Sequence, residues 1–160
     1  MTVKSVDVAR YILESSQGPM TTMKLQKLVF YSHAWHLAWT GNPLLSGEIF
    51  QAWKNGPVSY ELFNMHRGQF LISKSEFTSG DISVLTPKNI KCIDAVIEAY
   101  GDLSGGQLSA LTHSEEPWLQ VRVGLENGTC SSQEISNESL RDFYSKLNKS
   151  GTAISKIDWI

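Results

Sequence analysis

Apolar positions recur along this chain mainly at helical spacing. Near the start, Val6, Ala9, Ile12 and Leu13 lie three or four residues apart, which predicts a first amphipathic helix. The next apolar segment, residues 23–39, is hydrophobic on almost every side and is followed by a Gly-Asn-Pro sequence. A helix that is apolar all round is typical of a buried position. We therefore predict that residues 23–39 form the central helix of the fold.

The pattern changes after this helix. Residues 48–53 partly alternate between polar and apolar and are bounded by a glycine and an Asn-Gly-Pro turn, which predicts a short strand. Residues 70–86 are mixed and fit short strands or loops, and residues 124–134 are predicted to be a polar loop. The remaining helical segments are predicted at 59–66, 86–100, 103–112, 116–123 and from 136 onwards.

These elements predict one compact domain that is mainly α with a small antiparallel β-sheet, an α+β fold. We assign residues 1–160 to this single domain and treat residues 148–160 as a C-terminal tail. The tail contains Ile157, Trp159 and Ile160, which is unusually apolar for a free chain end. It is expected to dock on its own domain or to cover a partner.

Composition narrows the classes of partner. Hydrophobic residues make up 41% and charged residues 19%, which is a globular balance. The net charge of -2 lacks the basic excess of most nucleic-acid-binding domains. No segment reaches the roughly 18 apolar residues of a membrane-spanning helix, and the first residues lack the apolar core of a signal peptide. We expect a cytoplasmic protein that contacts neither nucleic acid nor membrane.

The best candidates for a metal site are two histidines on the central helix. His33 and His36 lie three residues apart, and a third ligand would have to come from His66, His113 or a distant carboxylate. The spacing does not match the HExxH motif. We interpret these histidines as surface or hydrogen-bonding residues on the polar side of the helix and predict no metal and no cofactor.

The two cysteines offer little evidence of catalysis. Cys92 lies among apolar helical positions, which is typical of a buried and inert thiol, although His113 and Glu115 could in principle complete a Cys-His nucleophile. Cys92 and Cys130 form no CxxC motif and are expected to be reduced. The sequence also lacks a phosphate-binding loop and a GxSxG motif. We therefore predict no catalytic residues and no enzyme activity.

Lys27 and Trp53 are the two residues whose surroundings most need explanation. Lys27 interrupts an apolar helix, so we expect its side chain to be at least half buried and paired, with Glu48 or Glu115 as possible partners. Trp53, followed by Lys54, precedes a tight turn and could equally be a core residue or an exposed anchor for a partner. Trp53, Lys54 and Trp159 are the candidate partner-binding residues.

Three stretches of the sequence carry a family resemblance. The first is Met-Lys-Leu-Gln-Lys-Leu at 23–28, continuing to Gly-Asn-Pro-Leu at 41–44, and the second is Ala-Trp-Lys-Asn-Gly-Pro-Val at 52–58. The third begins with Leu-Ser at 108–109 and continues to Leu-Thr-His-Ser-Glu-Glu-Pro-Trp at 111–118. In this order and spacing they resemble the Panacea domain of SocA-like antitoxins, which also occurs in phage-associated proteins. The resemblance covers residues 5–147.

The resemblance implies a mostly helical antitoxin that binds and neutralises a protein toxin. One branch of the family instead acts as an adaptor that delivers its toxin to a AAA+ protease. The motif residues map here to Lys27, Tyr31, Trp35, Trp53, Gly56, Pro57, Thr112, His113, Glu115, Pro117 and Trp118. Because family members bind diverse toxins, these residues are expected to build the scaffold more often than to contact the toxin. Partner choice is then expected to depend on residues 66–86 and the tail.

The leading functional hypothesis is an antitoxin that occludes a cognate toxin, with the adjacent gene as the expected source of that toxin. The first alternative is the protease adaptor. A second alternative from another class is a small metal-dependent hydrolase that uses His33, His36 and His113. A DNA-binding regulator is opposed by the charge balance.

Overall fold

The fold consists of seven α-helices and five short β-strands in a computed structural model that describes residues 2–126 and 128–150. The expected mainly α fold with small antiparallel sheets is therefore confirmed. The elements, in chain order, are α1 (Ser5–Ser15), β1 (Met20–Thr21), α2 (Thr22–Thr40), β2 (Phe50–Trp53), β3 (Gly56–Val58), α3 (Tyr60–His66), β4 (Leu71–Ile72), a 3-10 turn (Ile82–Val84), α4 (Pro87–Tyr100), α5 (Gly105–His113), α6 (Glu116–Val121), β5 (Glu134–Ile135) and α7 (Asn137–Lys149).

Helix α2 lies at the centre of the molecule, as its all-round apolar sequence predicts. Every side chain from Leu25 to Leu37 is buried, and α1, α4, α5 and α7 pack around it. The helix begins where the Thr21 hydroxyl accepts the Lys24 N–H, and it ends at Gly41, whose φ of 76° lies in the left-handed region. The core is therefore organised around one helix rather than around a sheet.

The larger sheet has three strands in the order β3-β2-β5, all antiparallel. Strand β2 confirms the strand predicted over 48–53, and it forms a tight hairpin with β3 in which Ala52 pairs with Pro57 and Trp53 with Gly56. The prediction of a loop over 124–134 is wrong at its end, because Glu134 begins β5. A two-residue strand is too short to show alternation, so its pairing with β2 is decided by tertiary structure.

A second, two-stranded sheet joins β1 to β4, with Met20 opposite Ile72. It brings residues 70–72 against the start of α2, where the Thr22 N–H donates to the Phe70 carbonyl. No helix among residues 2–126 and 128–150 is long and apolar enough to cross a membrane.

The packing around α2 generates a stability prediction for two phenylalanines. Phe30 is 1% exposed and packs edge-on against Phe50, whereas Phe70 is 76% exposed. We expect Phe30→Ala to lower the free energy of unfolding by about 3–5 kcal/mol because it leaves a cavity in the core. Phe70→Ala is expected to change it by less than about 0.5 kcal/mol. Urea unfolding of both variants is the measurement, and equal losses would contradict this account of the core.

Candidate functional site

The family-motif residues come from three helices and the β2–β3 hairpin: Lys27, Thr112 and Trp118 contact the hairpin, whereas Tyr31, Trp35 and Glu115 contact Tyr100 or Tyr144. Lys27, Tyr31 and Trp35 come from α2, Thr112 and His113 from the end of α5, Glu115 from the turn that follows, and Pro117 and Trp118 from α6. Two motif residues, Trp53 and His113, are partly exposed. The other motif residues are buried: Lys27, Tyr31, Trp35, Gly56, Pro57, Thr112, Glu115, Pro117 and Trp118.

Helix α6 and the residue that ends it hold strand β2 of the hairpin. The indole N–H of Trp118 donates to the Trp53 carbonyl at 2.8 Å, and the Arg122 guanidinium donates to the Ala52 carbonyl at 2.8 Å. The Arg122 guanidinium also lies 4.9 Å from the centre of the Trp118 ring, and the His113 ring stacks on Trp118 with 4.0 Å between the ring centres. These stacked side chains therefore fix two consecutive carbonyls of β2.

Helices α5 and α2 hold the turn and strand β3. The Ser109 hydroxyl donates to the Asn55 carbonyl at 2.6 Å, and the Lys27 ammonium donates to the Pro57 carbonyl at 3.2 Å. Sequence reasoning included Ser109 in the third stretch but assigned it no role, and it missed Arg122. Their signal is helical spacing, because Ser109 lies three residues before Thr112 and Arg122 lies four residues after Trp118.

Lys27 is 1% exposed, so the prediction that it is buried and hydrogen-bonded is confirmed. The suggested pairing with Glu48 or Glu115 is wrong: Glu48 accepts the Ser5 N–H at 2.7 Å, and Glu115 accepts hydroxyl groups. Among the residues that the structure describes, Lys27 forms no ion pair. Burial consequently lowers the pKa of the Lys27 amine from 10.5 to about 7.

Glu115 is the acceptor of a buried tyrosine pair. The hydroxyls of Tyr31 and Tyr144 donate to the same carboxylate oxygen, Oε1, at 2.7 and 2.8 Å. Burial raises the pKa of the Glu115 carboxyl, and the two hydroxyl hydrogen bonds partly offset that effect. One motif residue thereby joins α2 to α7, so its role in the described structure is to hold helices together.

Gly56 is required by its conformation and by its close contacts. Its φ of 119° lies in the region that side chains rarely adopt, and a Cβ there would lie 2.5 Å from Lys27 Cε and 2.9 Å from Thr112 Oγ1. Lys27 and Thr112 therefore pack directly on the hairpin backbone, which explains the glycine at this motif position.

The histidines proposed as metal ligands are occupied by hydrogen bonds. His33 Nδ1 accepts the Leu45 N–H at 3.2 Å, so its Nε2–H donates to Asn137 Oδ1 at 2.9 Å. His36 Nδ1 lies 2.7 Å from the Asn42 carbonyl and donates to it. Burial lowers the pKa of His33 to about 4, which keeps the ring neutral. Within the described part of the chain, no group of three His, Cys, Asp or Glu side chains has a metal-binding arrangement.

His66 and His113 do not join these two. His66 Nε2 lies 3.0 Å from the Gln26 amide nitrogen, and His113 stacks on Trp118. Burial, followed by the charges of Lys27 and Arg122, lowers the pKa of His113. Cys92 is fully buried, and burial raises the pKa of its thiol, as the interpretation of an inert cysteine predicts.

Trp53 presents its indole on the outer face of the hairpin, next to two aromatic residues of α3. The centre of its ring lies 4.9 Å from the centre of the Phe63 ring and 6.5 Å from the centre of the Tyr60 ring; Tyr60 is 46% exposed. The indole N–H donates to Gln51 Oε1 at 2.7 Å, which fixes the ring orientation. We call Trp53, Tyr60 and Phe63 the aromatic surface. Lys54 is exposed beside it, and Trp159 lies outside the described residues.

Substituting two glycines tests the packing of the hairpin. Gly56→Ala introduces the close contacts with Lys27 and Thr112, whereas a Cβ added to Gly47, which has a φ of 74°, would meet no atom within 4 Å. Both changes carry a backbone penalty of about 1 kcal/mol, and Gly56→Ala is expected to lose about 1–3 kcal/mol more through overpacking. Thermal unfolding of the two variants measures the difference, and equal losses would contradict the packing described.

The buried amine of Lys27 predicts a pH dependence of stability. Between about pH 7 and 10.5 the unfolded chain keeps a proton on Lys27 that the folded chain has released. Stability from this group therefore rises with pH across that window, by up to about 1.4 kcal/mol per pH unit, and is constant below it. We expect Lys27→Met to remove this contribution. Unfolding curves at several pH values from about 6.5 to 9.5 measure it, and parallel profiles for both proteins would refute it.

Comparison with known proteins identifies a family whose matched region contains the motif residues described above. The family model described as Antitoxin SocA-like, Panacea domain, matches residues 25–119, from the start of the buried part of α2 into α6. Antitoxin SocA of Caulobacter vibrioides (strain NA1000 / CB15N) is 33% identical over 138 residues, which cover 76% of this chain and 73% of that protein. No solved structure matches the chain significantly. This chain belongs to the SocA-like antitoxin family and contains its Panacea domain.

Proposed function

We propose that this protein is a cytoplasmic antitoxin that neutralises a cognate protein toxin by binding it directly. The adjacent gene is the expected source of that toxin. One observation carries the proposal: the buried motif residues hold the hairpin against the helices, and the hairpin presents the indole of Trp53 on its outer face. Family membership supports an antitoxin role, and the exposed aromatic surface supplies a place for a protein partner.

The hairpin is suited to tight binding because it is ordered before the partner arrives. The carbonyls of Ala52, Trp53, Asn55 and Pro57 each accept a hydrogen bond from a side chain elsewhere in the fold. A surface that is already fixed loses little conformational entropy on binding, so more of the contact energy contributes to affinity. The Gln51 contact extends this order to the ring of Trp53.

The aromatic surface also has the composition of a strong interface. Effective neutralisation requires a dissociation constant in the nanomolar range, about 12 kcal/mol of net binding free energy. An interface of ordinary size, about 800 Å² on each partner, reaches this value when a few aromatic anchors each contribute about 2 kcal/mol. Trp53 and Tyr60 are residues of this type, and both are accessible.

The alternative of a metal-dependent hydrolase receives no support from the histidines. A metal on His33 would have to displace hydrogen bonds to Leu45 and Asn137, and His113 stacks against a different helix. We accordingly propose a role without catalysis. A degradation adaptor would also bind the toxin directly. Occlusion and delivery to a protease are therefore distinguished by what happens after binding, which the co-expression experiment below tests.

Replacing Trp53 tests the proposed surface. We expect Trp53→Ala to weaken binding of the adjacent gene product by about 30-fold or more, because it removes a central aromatic anchor. Leu119→Ala is the control, since Leu119 is a large apolar residue of α6 with 43% exposure that lies outside both the aromatic surface and residues 66–86. Isothermal titration calorimetry gives both affinities, and circular dichroism confirms that each variant is folded. Equal affinities for wild type and Trp53→Ala would show that the toxin binds a surface other than the aromatic surface.

The mechanism is tested by co-expression with the adjacent gene. Direct occlusion predicts that growth is rescued and a stable complex is purified, also in cells that lack AAA+ proteases. Rescue without a complex would contradict occlusion. Rescue that disappears in the protease-deficient strain would favour the adaptor mechanism.

A further inference from the structure

An open pocket lies beside Trp53 at the end of the hairpin. It has a volume of about 510 Å³, and its wall is formed by Trp53, Lys54, Cys130, Ser131 and Ser132. The accessible wall is mainly apolar, with the indole as its largest member. A pocket of this size accommodates one or two large apolar side chains of a partner. We call it the Trp53 pocket.

One cation, Lys54, lies at this pocket, and a second, Arg67, lies at the adjoining aromatic surface. Lys54 lines the pocket and is exposed, and the Arg67 guanidinium lies 5.0 Å from the centre of the Phe63 ring. Arg67 donates to Asn64 Oδ1 at 2.8 Å, which holds it over the ring. In residues 2–126 and 128–150, neither cation forms an ion pair with a carboxylate.

Carboxylates line a different groove, which borders the aromatic surface at Tyr60. Glu61 and Glu134 line that groove together with Ile49 and Tyr60. None of the residues that line the Trp53 pocket is acidic. The charge distribution around Trp53 is therefore asymmetric, with positive charge next to the apolar pocket.

We propose that the Trp53 pocket binds a segment of the toxin in which a large apolar side chain is flanked by acidic residues. This inference rests on the proposed antitoxin function and specifies the partner's chemistry at the same surface. The apolar side chain packs against the Trp53 ring, and the flanking carboxylates pair with Lys54 and Arg67. Complementary charge of this kind accelerates association and selects among partners more than it adds to affinity.

Charge reversal at the two cations tests the proposal, with the product of the adjacent gene as the probe. The double variant Lys54→Glu/Arg67→Glu is expected to lower the association rate at about 50 mM salt by roughly tenfold or more. It is also expected to flatten the dependence of that rate on salt between about 50 and 300 mM. Lys88→Glu is the matched control, because Lys88 is exposed on α4 and lies outside both the Trp53 pocket and residues 66–86. Surface plasmon resonance measures the rates.

The results separate failure of this inference from failure of the proposed function. If the wild-type protein does not bind the probe, the proposed function fails. If it binds, and Trp53→Ala weakens binding while charge reversal leaves the rate and its salt dependence unchanged, only the acidic segment is refuted. If Trp53→Ala has no effect either, the pocket is not the contact site, and direct binding still stands.

Two other occupants of the pocket have distinct signatures in the full-length chain. If residues 157–160 of this chain occupy it, Trp159→Ala will tighten binding of the probe about tenfold, because the competing occupant is lost. If a second copy occupies it, sedimentation will show a dimer that Trp53→Ala dissociates. Either result would overturn the assignment to a toxin segment, whereas a monomer with unchanged affinity in Trp159→Ala supports it.

Discussion

The hydrogen-bonding needs of the backbone carbonyls in the β2–β3 hairpin are the constraint on which this part of the molecule depends. A carbonyl that loses water without gaining a donor costs about 1–3 kcal/mol, and a short hairpin cannot satisfy all of its carbonyls by strand pairing. The helices supply the missing donors from Trp118, Arg122, Ser109 and Lys27. Two motif residues, Lys27 and Trp118, are therefore explained by the hydrogen-bonding needs of the backbone they support.

Lys27 is the least expected of these donors, because a hydroxyl or amide would be less costly to bury. Its long side chain crosses from the central helix to Pro57, and Gly56 leaves room for the last carbon atoms to pass. The absence of a carboxylate paired with it in the described residues means that the fold tolerates a poorly charged amine. Glu115 meanwhile is engaged by Tyr31 and Tyr144, so the two buried ionisable motif residues serve different contacts.

Much of the fold could be predicted from the sequence because its helices carry strong local signals. The all-round apolar composition of α2 predicts its central position, and the alternation over 48–53 predicts β2. Strands β1, β4 and β5 have two residues each, and their existence depends on partners far along the chain. The partner of Lys27 could not be predicted for the same reason, since a carbonyl 30 residues away leaves no sequence pattern. The exposure of Trp53 also stays open at the level of sequence, because a tryptophan before a turn suits either environment.

The donors that hold the hairpin lie far from it along the chain. Trp118 is 65 residues from Trp53, Arg122 is 70 residues from Ala52, and Ser109 is 54 residues from Asn55. Contacts of this separation close long loops and form only when the intervening helices have assembled. The backbone that positions Trp53 therefore reaches its final conformation only after α5 and α6 have packed against the hairpin, so an incompletely folded chain lacks this arrangement.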